Sequence, residues 1–233
     1  MTARIIRDYF AAFRWSNFKT KVANSLYMIV YFAVMLPVIM GMYEKVQYAI
    51  IYYLIAIPTI HTVNSGCLHI MKMPKQMYLV PLSQQMKREY IVKSAIFRIC
   101  FCTLFGAVCT LPLVIFDMCH VITYVVIVYN ILTFALIFCG MNERYNIEER
   151  EAGPQIKSDT RGIVQGIDIV ITIFSLFGIA FLLCQDEGMR NVYVNLIFII
   201  PAILFQLPLT IKHMSYWNKA VEKAMNYEIS YDK

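Results

Sequence analysis

The sequence predicts an all-α polytopic membrane protein with six transmembrane helices, an N-terminal amphipathic interfacial helix and cytoplasmic coupling helices. Two observations predict this class. First, 59% of the 233 residues are hydrophobic and only 15% are charged, whereas roughly 25% of the residues in a soluble domain are charged. Second, six segments contain no Asp, Glu, Lys or Arg, and each reaches the roughly 17–25 residues that a helix needs to cross a bilayer: residues 22–43, 46–71, 99–116, 118–142, 169–185 and 191–211. The charge deficit excludes an ordinary soluble globule, a disordered chain and a nucleic-acid binder.

The N-terminal segment predicts a helix that lies in the plane of the membrane. Apolar and aromatic side chains recur at helical spacing over residues 2–18, and basic and acidic side chains occupy the other side. Basic, aromatic and amphipathic helices of this kind bind at the level of the lipid headgroups. We expect an interfacial elbow over residues 2–18 that then turns into the first span.

Six spans and a tail complete a single transmembrane domain over residues 1–233. Pro58 predicts a kink or interruption in the second span, and Pro201 and Pro208 interrupt the sixth. A proline in a transmembrane helix frees backbone groups that neighbouring helices must satisfy, so the sixth span is expected inside the bundle. We place the spans at about 22–42, 47–70, 94–116, 120–141, 163–184 and 192–211, with a cytoplasmic tail over 212–233.

The basic residues predict the orientation. If the N-terminus is cytoplasmic and the spans alternate, 19 of the 21 Lys and Arg residues lie on the cytoplasmic side, and only Lys45 and Arg190 lie outside. Lys and Arg in short loops set the orientation of membrane proteins. We therefore expect a multi-pass protein of the plasma membrane with both termini in the cytoplasm. The formal net charge of +6 then indicates contact with anionic membrane lipids and no nucleic-acid partner.

The loop after the second span carries the most informative motif, YLVPLSQQMKREYIVKS, which begins at Tyr78. An apolar patch over residues 78–82 lies among basic residues. Ser83 predicts the N-cap of a helix that leads into the third span. One interpretation is a loop that rests on the headgroups, and the other is a short helix that presents its apolar patch to a soluble partner.

The order of interfacial helix, two spans, this loop and four more spans resembles the permease subunits of ABC-2-type exporters, which have the type V exporter fold. These subunits carry a related "hLPhSRxEhhhxK" stretch after their second span, and the likeness covers roughly residues 2–215. The Arg that usually follows the Ser is replaced here by Gln84 and Gln85. The resemblance implies a coupling helix that docks on a nucleotide-binding subunit, through the positions that match the motif: Tyr78, Leu79, Pro81, Leu82, Ser83 and Lys87. It also implies a second cytoplasmic contact after span four, formed by Glu143, Arg144, Tyr145, Glu148, Glu149 and Arg150.

The sequence contains no GxxxxGK[ST], HExxH, GxSxG or GxGxxG motif. We therefore expect no catalytic residue, metal or cofactor in this chain, with ATP and Mg bound by a separate cytoplasmic ABC ATPase. A second permease copy or a paralogue would complete the transport path. The short outer loop 185–191 resembles the permeases of small exporters for amphipathic peptide toxins and bacteriocin self-protection. Polar residues within or near the spans are candidate cavity residues: His61, Asn64, Asn130, Thr133 and Gln206.

Three alternatives remain open at this point. The substrate-capturing component of an energy-coupled vitamin importer also has six spans, but its AxxxA spacing is absent from residues 22–42. A membrane-embedded enzyme would need ionisable residues that converge at membrane depth, whereas Arg98 and Asp168 both lie near predicted inner helix ends. A scaffold or regulator with no transport role is the third alternative.

The orientation is testable by cysteine labelling in intact cells. We expect a membrane-impermeant thiol reagent to label Gly188→Cys from outside and to reach Gln155→Cys only after the membrane is permeabilised, because positive loops stay in the cytoplasm. Labelling of the two positions in the opposite order would reverse the whole topology.

Overall fold

The computed structural model describes residues 2–12, 46–68, 73, 75–79, 81–140, 160–184, 196–197 and 200–225, and these residues contain helices and turns but no strand. The sequence prediction of an all-α chain is confirmed for this part of the protein. The helices are α1 (Thr2–Ala12), α2 (Val46–Leu68), α3 (Lys75–Leu79), α4 (Gln84–Thr110), α5 (Pro112–Ile115), α6 (Val121–Gly140), α7 (Thr160–Leu183), α8 (Leu207–Met214) and α9 (Trp217–Met225). A π-helical turn, Ala202–Gln206, leads directly into α8.

Three helical segments are long and apolar enough to cross a membrane: Gln84–Ile115, Val121–Phe138 and Gly166–Leu183. A shorter apolar stretch, Ile50–Val63, lies in α2. These segments correspond to the third, fourth and fifth predicted spans and to part of the second. The predicted first span, 22–42, lies outside the described residues, and so does most of the outer half of the sixth. The described chain is therefore that of a membrane protein with three such helices.

The exposed and buried faces of α7 are reversed relative to a helix of a soluble protein. Its outward side chains are apolar, and the ring of Phe174 is 74% exposed. Its inward face carries Asp168, Thr172 and Ser175 beside Leu176 and Ile179, all of them buried. A helix in water shows the opposite pattern, because apolar surface is removed from the solvent. The outward apolar face of α7 therefore fits a surface covered by lipid tails.

The third predicted span is the distal part of one long helix. Ser83 is the N-cap of α4, and its hydroxyl oxygen accepts a hydrogen bond from the Met86 backbone N–H at 3.3 Å. The cap predicted from the sequence is therefore confirmed. Because α4 begins at Gln84 and continues to Thr110, the predicted cytoplasmic loop and the predicted span are continuous in one rigid element.

A tight turn joins α5 to α6, as the sequence predicts around residues 117–120. Asp117 adopts a φ of 52°, in the left-handed region that Asp tolerates better than most residues. The Leu113 carbonyl accepts hydrogen bonds from the backbone N–H groups of Met118 at 2.8 Å and Cys119 at 3.0 Å. Burial raises the pKa of the Cys119 thiol to about 11, so this side chain stays neutral and packs as a small apolar group.

The apolar core is divided along the length of the helices. The first cluster joins α2, α5, α6 and α7: Ile51, Ile55, Leu113, Cys119, Ile127, Ile131, Leu176, Ile179, Ala180, Leu183 and Cys184. The second, which we call the basal cluster, joins α1, Met73, α3, the start of α4 and α9: Ile5, Met73, Met77, Tyr90, Ile91, Ala95, Ala220, Val221 and Ala224. The helix α9 lies in the segment predicted only as a tail, 212–233, so the tail contributes to the core.

The helix α1, predicted as the interfacial elbow, packs against α4 through one face. Ile5 and Tyr9 are buried, whereas Ile6 and Phe10 are exposed. The Tyr90 hydroxyl donates a hydrogen bond to Asp8 Oδ2 at 2.7 Å. Residues 13–18 of the predicted elbow lie outside the described part of the chain.

The helices α2, α4 and α6 approach one another closely at Gly106 of α4. A Cβ atom at this position would lie 2.6 Å from Ile131 Cγ2 of α6 and 3.4 Å from Pro58 Cβ of α2. Ile131 is buried and its Cγ2 is held close to the backbone, so neither neighbour moves away at low cost. Small residues at helix interfaces of this kind let membrane helices pack closely.

We predict that Gly106→Ala destabilises the folded protein by ~1–3 kcal/mol through overpacking, measured as a lower midpoint of thermal unfolding in detergent. The matched control is Gly166→Ala in α7, where a Cβ would meet nothing within 4 Å. That change should be neutral or stabilising by up to ~1 kcal/mol, because Ala favours a helix over Gly. Equal effects at the two positions would contradict the packing role of Gly106.

Candidate functional site

A group of buried polar side chains joins α6, α7 and the π-turn with α8. We call it the polar cluster: Asn130, Asp168, Thr172, Gln206 and Thr210. Four of its members have no exposed surface, and Thr210 is 7% exposed. Polar side chains at membrane depth are costly unless they are paired, and they are a common position for functional groups in membrane proteins.

The Gln206 side-chain amide is the centre of this cluster. Its Nε2 donates hydrogen bonds to Asn130 Oδ1 at 3.2 Å and to Thr172 Oγ1 at 2.7 Å. The Asn130 Nδ2 donates to the Val126 carbonyl at 2.8 Å, and the Thr172 hydroxyl donates to the Asp168 carbonyl at 2.7 Å. The Thr172 hydroxyl has one proton, which it donates to the Asp168 carbonyl, so it can only accept a hydrogen bond from Gln206. This assigns the NH2 group of Gln206 to the side of Thr172.

A second contact lies one helical turn away. The Thr210 hydroxyl donates to Asp168 Oδ2 at 3.2 Å. Asp168 and Thr172 are four residues apart on α7, and Gln206 and Thr210 are four residues apart on the facing segment, so each pair lies on one helix face. The contacts Thr172–Gln206 and Asp168–Thr210 are thus two successive rungs between antiparallel helices.

Two acceptor atoms of the polar cluster receive no hydrogen bond from the part of the chain that the structure describes: Asp168 Oδ1 and Gln206 Oε1. Leaving a buried acceptor unpaired costs roughly 1–3 kcal/mol, and more for a charged group. The hydroxyl protons of Thr172 and Thr210 and the NH2 group of Gln206 are used in other hydrogen bonds. None of them is directed to these two oxygen atoms, which therefore lack a donor or a positive charge.

The backbone beside Gln206 departs from regular α-helix. Residues 202–206 form a π-turn, and Pro208 follows in α8. A π-turn adds a residue to the turn and occurs often at functional sites in membrane and soluble proteins. Pro208 has no N–H group, so the turn that holds Gln206 also lacks one backbone donor. The π-turn lies between Pro201 and Pro208, which agrees with the interruption of the helix predicted at these two prolines.

The five predicted cavity residues do not meet at one site. Asn130 and Gln206 meet in the polar cluster, and Thr133 is buried on α6 with its hydroxyl bonded to the Tyr129 carbonyl of its own helix at 3.0 Å. His61 of α2 is half-buried against Phe105 of α4, with ring centroids 4.5 Å apart. Asn64 lies in α2, and its side chain is outside the described structure.

Sequence reasoning missed Asp168, Thr172 and Thr210 as site residues. Asp168 appeared near a predicted inner helix end, where a carboxylate reaches water easily. The available signal was the four-residue spacing of Asp168 and Thr172 and of Gln206 and Thr210 within apolar segments, which places polar groups on one face of each helix.

The second candidate site is the motif that begins at Tyr78. The helix α3 is held against the rest of the protein by Met77, buried in the basal cluster, and by the Tyr78 hydroxyl. That hydroxyl donates to the Ala224 carbonyl of α9 at 2.6 Å and accepts from the Met73 N–H at 3.2 Å. The anchor leaves Leu79 at the end of α3 with 81% of its surface exposed.

The predicted docking residues do not all face outward. Leu79, Pro81 and Ser83 are exposed, although the Ser83 hydroxyl is used by the α4 cap. Tyr78 and Leu82 pack against the basal cluster, and Lys87 is half-buried. The second predicted contact lies outside the described residues in full: Glu143, Arg144, Tyr145, Glu148, Glu149 and Arg150.

Comparisons with known proteins give no relative for this chain. No protein-family model, curated protein or solved structure matches it. Within the described ranges, no group of three His, Cys, Asp or Glu side chains is arranged to hold a metal ion. Function is therefore inferred from the polar cluster and from the segment around Leu79.

The central hydrogen bond of the polar cluster is testable with a double-mutant cycle. We predict that Asn130→Leu and Gln206→Leu are coupled by ~0.5–2 kcal/mol, the range measured for polar pairs between membrane helices. Either single change leaves the other side chain without its partner, whereas the double change removes both. The measurement is the free energy of unfolding in mixed micelles for the four proteins.

Thr103→Val is the control for this cycle. The Thr103 hydroxyl donates to the Ile99 carbonyl of its own helix at 2.8 Å, away from the polar cluster. Its effect should add to that of Gln206→Leu within ~0.5 kcal/mol. Additivity of Asn130→Leu and Gln206→Leu would show that their contact contributes nothing to folding.

Proposed function

We propose that this chain is the transmembrane permease subunit of an ATP-driven exporter of the ABC-2 type, energised by a separate ATPase subunit. The observation that carries the proposal is Leu79, an almost fully exposed leucine on a short helix that is anchored to two other helices. A large apolar side chain in that setting is a typical centre of a protein–protein contact. The neighbouring basic residues would form the polar rim of this contact.

The segment around Leu79 has the composition of a docking surface. Its exposed apolar residues, Leu79 and Pro81, lie beside Lys87 and the exposed Arg88. Arg88 is held in place through its Nη2, which donates to Asn218 Oδ1 of α9 at 3.1 Å. An apolar centre with a charged rim is the usual arrangement in protein interfaces. A partner with an apolar groove and an acidic border would fit it.

The anchoring of α3 supports a mechanical role. A push on Leu79 would pass through Tyr78 and Met77 to the basal cluster, which contains the first turns of α4. The helix α4 is 27 residues long, about 40 Å at ~1.5 Å per residue, and its far half lies in the membrane segment. Movement of an ATPase would therefore tilt or shift a transmembrane helix without a flexible linker between them.

The rest of the proposed assembly follows from the sequence. Six spans are half of the usual exporter complement, so a second copy or a paralogue would complete the path. Both termini and the docking segment would lie in the cytoplasm of a bacterial cell, and the spans would contact the lipids of the plasma membrane. The proposed substrates are amphipathic or antimicrobial peptides, since the short outer loop resembles that of compact peptide exporters.

The docking proposal is testable with Leu79→Glu. We predict that this change lowers co-purification of a co-expressed ABC ATPase from detergent by at least ~10-fold, because removal of a central apolar contact typically costs ~2 kcal/mol or more. Permease-dependent stimulation of ATP hydrolysis should fall with it. Leu79 is the position of choice because Leu82 packs against the basal cluster, where a charge would also disturb folding.

His120→Glu is the matched control. It introduces the same charge at an exposed position in the turn between α5 and α6, beyond the end of α4 that is opposite to Ser83. This variant should keep both association and stimulation. Equal loss in the two variants would reflect net charge, and full retention in Leu79→Glu, or no associated ATPase for the unchanged protein, would overturn the docking proposal.

A further inference from the structure

The polar cluster contains a buried acidic group, Asp168, for which the described residues supply no positive partner. Among the described residues, the ion pairs join Arg4 and Arg7 to Asp8 and Lys93 to Glu89. None of them reaches Asp168, which has no exposed surface. Its carboxylate receives one hydrogen bond, from Thr210. A carboxylate in this position is expensive in a membrane unless something compensates its charge.

The unpartnered amide oxygen of Gln206 is an independent observation at the same place. Gln206 has no exposed surface, and its NH2 group is committed to Asn130 and Thr172. Its Oε1 receives no hydrogen bond from the described residues. Asp168 and Gln206 lie in adjacent rungs, and each presents one oxygen without a donor: Asp168 Oδ1 and Gln206 Oε1.

The available ligands are all oxygen atoms. Besides the carboxylate and the amide, the hydroxyl oxygens of Thr172 and Thr210 lie in the same rungs. Carboxylate, amide and hydroxyl oxygens suit hard cations. The donor set carries one formal negative charge, so one monovalent cation makes it neutral.

We propose that the polar cluster is a binding site for one sodium ion, with Asp168 and Gln206 as its charged and neutral ligands. One cation shared by both oxygens would coordinate each of them and would also neutralise the charge of Asp168. A water molecule would donate hydrogen bonds to both oxygens but would leave the charge of Asp168 uncompensated. A proton on Asp168 would remove the charge, but it would leave Gln206 Oε1 without a donor unless the two side chains are in contact.

Sodium binding would join α7 to the π-turn and α8 through the centre of their interface. It would then stabilise the packing of these helices whether or not the chain associates with an ATPase. The inference is therefore independent of the proposed transport function, and its test requires no partner and no substrate.

The experiment uses the full chain purified in detergent. Thermal unfolding is followed at fixed pH and ionic strength while sodium chloride replaces choline chloride. Since a ligand that binds only the folded state raises the unfolding midpoint with its concentration, we expect a saturable increase of ~2–6 °C. Saturable binding of ²²Na⁺ to the same preparation, with a stoichiometry near one, is the second measurement.

Asp168→Asn is the decisive variant, because it keeps the shape of the side chain, removes its charge and supplies an amide donor. It should fold in choline chloride and lose both the sodium-dependent shift and ²²Na⁺ binding. Gln206→Leu should weaken binding by ~10-fold or more, since it removes one ligand at a cost of at least ~1.4 kcal/mol. Thr103→Val, outside the cluster, should respond as the unchanged protein does.

Three outcomes would overturn the sodium site. The unfolding midpoint of the unchanged protein would be the same in sodium and choline chloride, with no saturable ²²Na⁺ binding. Alternatively, Asp168→Asn would keep the response, which would place the ion elsewhere. Finally, the midpoint would depend on pH through Asp168 but not on sodium at any pH, which would make the cluster a proton site.

Discussion

The absence of water around the helices is the constraint on which the rest of this structure depends. In lipid, a polar side chain finds its partner on a neighbouring helix or not at all. The helix α7 follows this rule, because its apolar side chains point outward and Asp168, Thr172 and Ser175 point inward. The contacts of Gln206 with Asn130 and Thr172 then fix which faces of α6, α7 and the π-turn meet. Asp168 Oδ1 and Gln206 Oε1, which receive no hydrogen bond from the described residues, are the observation from which we infer a bound ligand.

The basal cluster has a different role. It brings α1, Met73, α3, the start of α4 and α9 into one apolar core, which holds α3 against the bundle through Tyr78 and Met77. Since Tyr78 is bonded to α9, the exposed Leu79 is presented from a rigid base. The chain connects the two candidate sites, because α8 carries Thr210 of the polar cluster and the next helix, α9, packs in the basal cluster. One site offers a surface to a partner, and the other holds charge within the bundle.

Several features were predictable because they depend on local chemistry. The cap at Ser83, the turn around Asp117 and the helices over the third, fourth and fifth predicted spans follow from residue type and from runs of apolar residues. The helix α9 was not predicted, because its apolar positions are few and its stability comes from contact with the start of α4. The pairing of Gln206 with Asn130 could not be predicted from the sequence either, because the rotation of each helix depends on packing between segments that are 76 residues apart. The count of six spans and the transport function remain predictions from the sequence.

The sequence by itself determined that this protein is helical and belongs in a membrane, because the cost of placing charge in lipid is a property of composition and spacing alone. It also determined the chemistry of the exposed segment around Leu79. Only the tertiary structure decided that Leu79 is presented while Leu82 is packed, and that Asp168 faces Thr210 while Gln206 faces Thr172. Those choices depend on how helices from distant parts of the chain rotate against one another. Rotation is set by the combined fit of Gly106, the apolar clusters and the buried hydrogen bonds, and no single segment contains that information.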